Sequence, residues 1–365
     1  MTTPASTEGH NGRAIARRLA LVLTLNCLLS YPLLYMSYKG HDLAVRPLDH
    51  AAYFAMAESP FGVSVANPYR YRVLTPLVVW LCRPLPSYDI EIASRLDPAR
   101  QRTFFHFAAL SFVLLQAAAL ALYAIGTRVF GLSPPGAYLA GLVFLLSFYN
   151  AVSTMVASVD AGAHLLIAAG ALALFRRRYW WLAIAATLGV LQKEAVVLVL
   201  GLLAALELRA DRMHAGRALA CLVPAIALYT VFRLASPAPG NEHFLQPMEW
   251  LRSLARLASP GLYSRTFLFH VFLANAPLLA ALAAHAVARS RGLKVAFPLR
   301  YLLLPGLLLL IAMALDLGNN VGRIVAFAAP VSCCYVAAVA EAFARAVGWG
   351  TFAGGNGTPP AVPAL

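Results

Sequence analysis

The segment YWWLAIAATLGVLQKEAVVLVLGLLAALEL, residues 179 to 208, is apolar on both sides of one charged pair, Lys193-Glu194. Adjacent residues on a helix point in different directions, so the pair cannot neutralise itself inside a continuous helix. A break at the pair leaves two halves, Tyr179–Gln192 and residues 195–207, each about 20 Å long at helical rise. Either half is too short to cross a bilayer core of about 30 Å alone. The segment therefore reads as a re-entrant hairpin enclosed by protein, with the charges at its turn.

The rest of the chain supplies the membrane setting that this reading needs. Hydrophobic residues make up 61% of the chain and charged residues only 12%, against about 25% charged in soluble domains. Apolar runs of near-spanning length occur at 19–37, 103–126, 137–158, 161–175, 218–232, 266–288, 301–315 and 324–340. Alternating segments of roughly 10 residues, which would mark a membrane β-barrel, are not seen. The expected fold is an all-α polytopic membrane protein with about eight transmembrane helices, an interfacial helix and the hairpin. One domain is expected over residues 1–347, with a Gly/Pro-rich disordered tail at 348–365. Cys27, Cys82, Cys221, Cys333 and Cys334 lie in or beside apolar runs without metal-type spacing.

Charge sets the expected orientation. Lys and Arg concentrate near cytoplasmic helix ends, which places Arg13/Arg17/Arg18, Arg176–Arg178, Arg209/Arg212/Arg217 and Arg289/Arg291/Lys294 on one side. That requires residues 73–82, about 15 Å of helix, to lie at the interface rather than cross. It also puts both termini in the cytoplasm and residues 38–102 outside, as a first loop with interfacial helices. Arg83, Arg95, Arg100 and Arg102 run against the rule, partly offset by Asp89, Glu91 and Asp97. The N-terminal apolar run has no cleavage signature and reads as an uncleaved anchor in the cytoplasmic membrane. A net charge of +14 favours anionic partners such as phospholipid headgroups or a phosphate-bearing substrate. Nucleic acid is not expected, because no soluble basic domain is present to hold it.

The first external loop concentrates chemistry-bearing side chains. On a helix, Asp49 and Tyr53 share a face at i,i+4. Asp49 suits a general base at the water–lipid boundary, although on spacing alone a helix N-cap is the commoner role for an Asp so placed. Arg70 and Arg72 share a face in an extended chain and suit bidentate phosphate recognition, with Tyr69 and Tyr71 as interfacial anchors; the alternative is a Tyr/Arg belt facing lipid headgroups. His41, Asp42, Asp49 and His50 are metal-type residues in no standard ligand spacing. No cofactor is required, and a divalent metal is compatible with these types. Lys193-Glu194 faces a cavity or forms structural ion pairs. Asn319, Asn320 and Arg323 make a polar cap on the last external loop, and Asp160 reads as a helix cap.

Taken in order, Asp49 and Tyr53, then Tyr69 to Pro76, then Lys193-Glu194, then Asn320 and Arg323, the chain resembles the GT-C class of integral-membrane glycosyltransferases, of the bacterial mannosyltransferase and lipid-A-sugar transferase type. The resemblance implies many transmembrane helices around an irregular external first loop, and a polyprenyl-phosphate-linked sugar donor. It implies that Asp49 acts on a glycan, lipid or protein acceptor, with Tyr53, Arg70, Tyr71, Arg72, Lys193, Glu194, Asn320 and Arg323 binding substrate. Asn320 departs from the acid common at its position, and the large soluble C-terminal domain of some members is absent. A transporter or flippase for a phosphate-bearing lipid would also use external arginines and a broken helix, although no matched pair of broken helices is seen. A non-catalytic assembly subunit is the third reading.

Overall fold

The computed structural model describes residues 7–39, 47–60, 65, 69–87, 98–147, 150, 158–235, 265–314 and 321–348. These residues are all-helical, with no strand among them. In chain order the helices are α1 (Thr7–Lys39), α2 (Pro47–Glu58), α3 (Leu74–Cys82), α4 (Pro98–Arg128), α5 (Pro134–Leu145), α6 (Asp160–Phe175), α7 (Tyr179–Gln192), α8 (Ala195–Leu206), α9 (Arg212–Ala220), α10 (Val223–Ala235), α11 (Arg265–Ser290), α12 (Leu303–Ala314), α13 (Val321–Val325) and α14 (Ala329–Ala346).

Three helical stretches are long and apolar enough to cross a membrane, Gln101–Arg128, Arg212–Phe232 and Gly322–Ala346, which marks a membrane protein. Long helices also cover the expected runs at 19–37 and 266–288, in α1 and α11, and shorter apolar helices lie at Pro134–Leu145, Asp160–Phe175, Tyr179–Gln192 and Leu299–Met313. The run at 137–158 fails as a single span because α5 ends at Leu145. The run at 218–232 lies within the spanning stretch Arg212–Phe232, with a turn at Cys221-Leu222 just before Pro224, whose ring removes a backbone donor. The expected tail lies outside the described residues, except for Gly348.

Helix α6 is the centre of the bundle, with Asp160, Gly162, Ala163, His164, Ile167, Gly170, Ala171 and Leu174 all buried. It packs against α4, α7, α8 and α14. Apolar side chains gain little by leaving lipid, so close van der Waals packing of small residues holds such helices together. At Gly162 an added Cβ would lie 2.6 Å from the amide carbon of Gln192. The missing side chain is what lets the end of α7 approach the start of α6.

The hairpin forms where the charged pair breaks the apolar segment. Lys193 is extended, with φ −170° and ψ 128°, and Glu194 starts the return helix. Beside the turn, a Cβ on Gly189 would lie 2.7 Å from Val196 Cβ, so the two legs meet almost backbone to side chain. The legs run the full length of α6: the turn meets Asp160 at the start of α6, and beyond its far end Arg177 pairs with Asp211 at 2.9 Å.

That far end collects the basic segments. Phe130, just past α4, meets Phe175 at 5.7 Å and Phe297 at 4.7 Å, and Arg300 pairs with Glu207 at 3.5 Å. Arg176–Arg178, Arg209, Arg289, Arg291 and Lys294 flank these contacts in sequence. At the opposite end, α2 and α3 sit on the start of α4 through a separate apolar cluster of Tyr53, Phe54, Met56, Ala57, Val79, Phe104, Phe107 and Val159. Helix α3 is the short helix expected at 73–82.

Gly162→Ala should lower stability by about 1–3 kcal/mol, the usual cost of overpacking. Gly216→Ala, where an added methyl meets nothing within 4 Å, should be neutral or stabilising by up to about 1 kcal/mol. Thermal unfolding of both variants in detergent checks the pair, and equal melting would contradict the close approach at Gly162.

Candidate functional site

The hairpin turn carries its two charges to different partners, as the geometry of adjacent residues requires. Lys193 Nζ donates to Asp160 Oδ1 at 2.7 Å and lies over the Phe327 ring, 4.9 Å from its centroid. The other Asp160 oxygen, Oδ2, accepts from Arg323 Nε. Asp160 is only 1% exposed, so each carboxylate oxygen holds one cation in a region shut off from water. A charge that deep is tolerated only when it is paired and hydrogen-bonded. One turn along α6, His164 is wedged between Phe144 and Phe327, with ring centroids 5.3 and 4.8 Å away.

Glu194 turns the other way, to the first loop. Arg72 grips it with two parallel bonds, Nε to Oε2 at 3.1 Å and one terminal nitrogen to Oε1 at 2.5 Å. The remaining terminal nitrogen of Arg72 donates to the Tyr53 hydroxyl at 3.3 Å. Burial pushes the Tyr53 phenol up from its ordinary pKa, and Arg72, Arg323 and Asp160 all act on it electrostatically. The two halves share the hairpin turn, because Lys193 and Glu194 are neighbours in the chain. Gln192 ties them together, its side-chain nitrogen donating to Thr75 Oγ1 at 2.6 Å and to the Val159 carbonyl at 2.5 Å.

Five of the residues singled out in the sequence come together here: Tyr53, Arg72, Lys193, Glu194 and Arg323. Arg70 does not share a face with Arg72. Residues Tyr69–Tyr71 form a 3-10 turn rather than an extended chain, and at three residues per turn positions two apart point about 120° away from each other. Arg70 is consequently exposed while Arg72 is buried. Tyr71 is buried too, edge-on to Tyr229 with ring centroids 6.5 Å apart, rather than exposed as an interfacial anchor. Helix α2 holds both Asp49 and Tyr53. It begins at Pro47, which puts Asp49 inside the first turn and not at the N-cap. The Asp49 and His50 side chains, residues His41 and Asp42, and residues Asn319 and Asn320 lie outside the described set. Among the described residues no group of three or more metal-type side chains assembles.

Asp160, Thr75 and Gln192 are the members that sequence reasoning did not place in the site. Asp160 does not cap α6: its carboxylate makes no cap bond, and its own N–H donates to Ser158 Oγ at 3.1 Å. The available signal was an acid isolated at the head of a Gly/Ala-rich apolar helix, a setting in which a charge is costly unless it has a task.

The site sets three cations, Arg72, Lys193 and Arg323, against the two carboxylates of Asp160 and Glu194. Lys193 carries three donors, and among the described residues Asp160 is its one hydrogen-bond acceptor. Comparison with family models, curated proteins and solved structures finds no match to the chain.

Lys193→Met and Arg323→Leu each strand part of the Asp160 charge. Their effects on unfolding should couple by about 0.5–3 kcal/mol in a double-mutant cycle, as for residues that share a partner. Simple additivity would mean that the two cations do not depend on one carboxylate.

Proposed function

We propose that the chain is a membrane glycosyltransferase of the GT-C-like kind, moving a sugar from a polyprenyl-phosphate carrier to an acceptor at the external face of the cytoplasmic membrane. The observation that carries this reading is the buried ammonium of Lys193, with donors to spare, set beside the Arg72 and Arg323 guanidinium groups at the end of the bundle opposite the basic segments. That separation matches an orientation with the basic end in the cytoplasm and the site at the outer face.

The reaction breaks the bond between the sugar's anomeric carbon and the phosphate oxygen, and forms one from that carbon to the acceptor oxygen with inversion. The electron pair leaves with the phosphate, where Arg72, Lys193 and Arg323 stabilise the growing charge. Such preorganised donors commonly supply the largest share of catalysis. Asp49, in α2 one helical turn before Tyr53, takes the proton of the acceptor hydroxyl. Tyr53 holds Arg72 in place through its hydroxyl, and Glu194 fixes the guanidinium plane.

Membranes carrying the wild-type chain should transfer sugar from a radiolabelled polyprenyl-phosphate-sugar pool. Asp49→Asn should abolish transfer, and Arg72→Ala should lower it by about 10²–10³-fold, as loss of one charge-stabilising donor does. Folded wild-type protein that consumes no pool, whichever sugar is offered, would contradict the reading. Transfer that survives in Asp49→Asn would remove Asp49 as the base.

A further inference from the structure

Asp160 is more deeply buried than the two cations that it binds. Its side chain is 1% exposed, against 7% for Lys193 and 21% for Arg323. It stands at the first turn of a helix buried on nearly every side, on the inner side of the two cations that it binds. A ligand reaching the site from its open side meets Glu194 and Arg323 first, whose side chains are the more exposed, with Arg72 and Lys193 behind them. Nothing in the proposed transfer chemistry uses Asp160, yet both of its oxygens are committed to the groups that chemistry requires.

We infer that Asp160 is a positioning residue: resting on the reading of the site as one for a lipid-linked phosphate, it aims Lys193 and Arg323 at the phosphate oxygens from behind. Lys193 needs such a partner because it sits on the extended residue of the hairpin turn, where no helix fixes its direction. A long flexible side chain loses rotamer freedom when it is held, and a buried acceptor removes that freedom before the ligand arrives. The carboxylate also keeps two like charges close together without ligand. Gln192 and Thr75, bonded to each other beside the turn, hold the backbone that presents Lys193.

The test is direct binding to the purified full chain in detergent, with farnesyl phosphate as probe and farnesol as its neutral control. Asp160→Asn should weaken farnesyl phosphate at least tenfold and leave farnesol unchanged, and Asp160→Glu should recover part of the loss. In a Lys193→Met background the further loss from Asp160→Asn should shrink, because half of what Asp160 positions is already gone. Should Asp160→Asn not fold, Asp160→Glu is compared with wild type directly and should bind the phosphate more weakly without change toward farnesol. Unchanged phosphate affinity in the variant that folds overturns the role. Tighter binding overturns it as well, since that would make Asp160 a competitor for the cations. Wild-type protein that binds farnesyl phosphate no better than farnesol overturns the phosphate site itself, and this role with it.

Discussion

The arrangement turns on one buried carboxylate. Asp160, enclosed at the head of α6, can keep its charge only because Lys193 and Arg323 each bond one of its oxygens. Stripping an ion of water costs several kcal/mol even after relaxation, and removing one partner of a buried pair typically costs about 3–5 kcal/mol. The three segments that supply these charges, α6, the hairpin turn and α13, are therefore bound to arrive together. The first loop joins them through Glu194, Arg72 and Tyr53, so a local electrostatic need sets the tertiary arrangement at this end of the molecule.

Helix lengths fit that need. At 12 residues α8 is about 18 Å long and at 16 residues α6 is about 24 Å, less than a bilayer core. They are acceptable because their backbones and much of their surfaces are covered by neighbouring helices. Glycine at 162 and 189 allows the approach. The bundle ends differ: one joins Asp160 and Glu194 to three cations, and the other sets the single buried carboxylate of Glu207, paired with Arg300, and exposed arginines around a Phe130, Phe175, Phe297 and Tyr301 aromatic cluster.

Much of the fold was legible because it follows from local rules. An all-helical membrane chain is a matter of composition, and the break at Lys193-Glu194 follows from the inability of adjacent helical residues to pair. The short α3 follows from the length of its apolar run and its Arg83-Pro84 ending. The spans were less legible, because a long apolar run does not reveal where a helix within it ends, as after Leu145. In the site, the residue types were readable and their partners were not: Arg72 reaches Glu194 across 122 positions. Asp160 looks like a helix cap in one dimension, and only the folded chain brings two cations to it. Arg70 misled because face-sharing depends on backbone geometry, and a 3-10 turn replaced the extended chain.

The most direct test of the account is a density map of the purified chain with a prenyl phosphate bound. The account predicts phosphate density within hydrogen-bond distance of Lys193 Nζ and of the Arg72 or Arg323 guanidinium, with Asp160 still behind the cations. Phosphate density at the opposite end, beside Arg176–Arg178 or Arg289, with none at the Lys193 site, would contradict it.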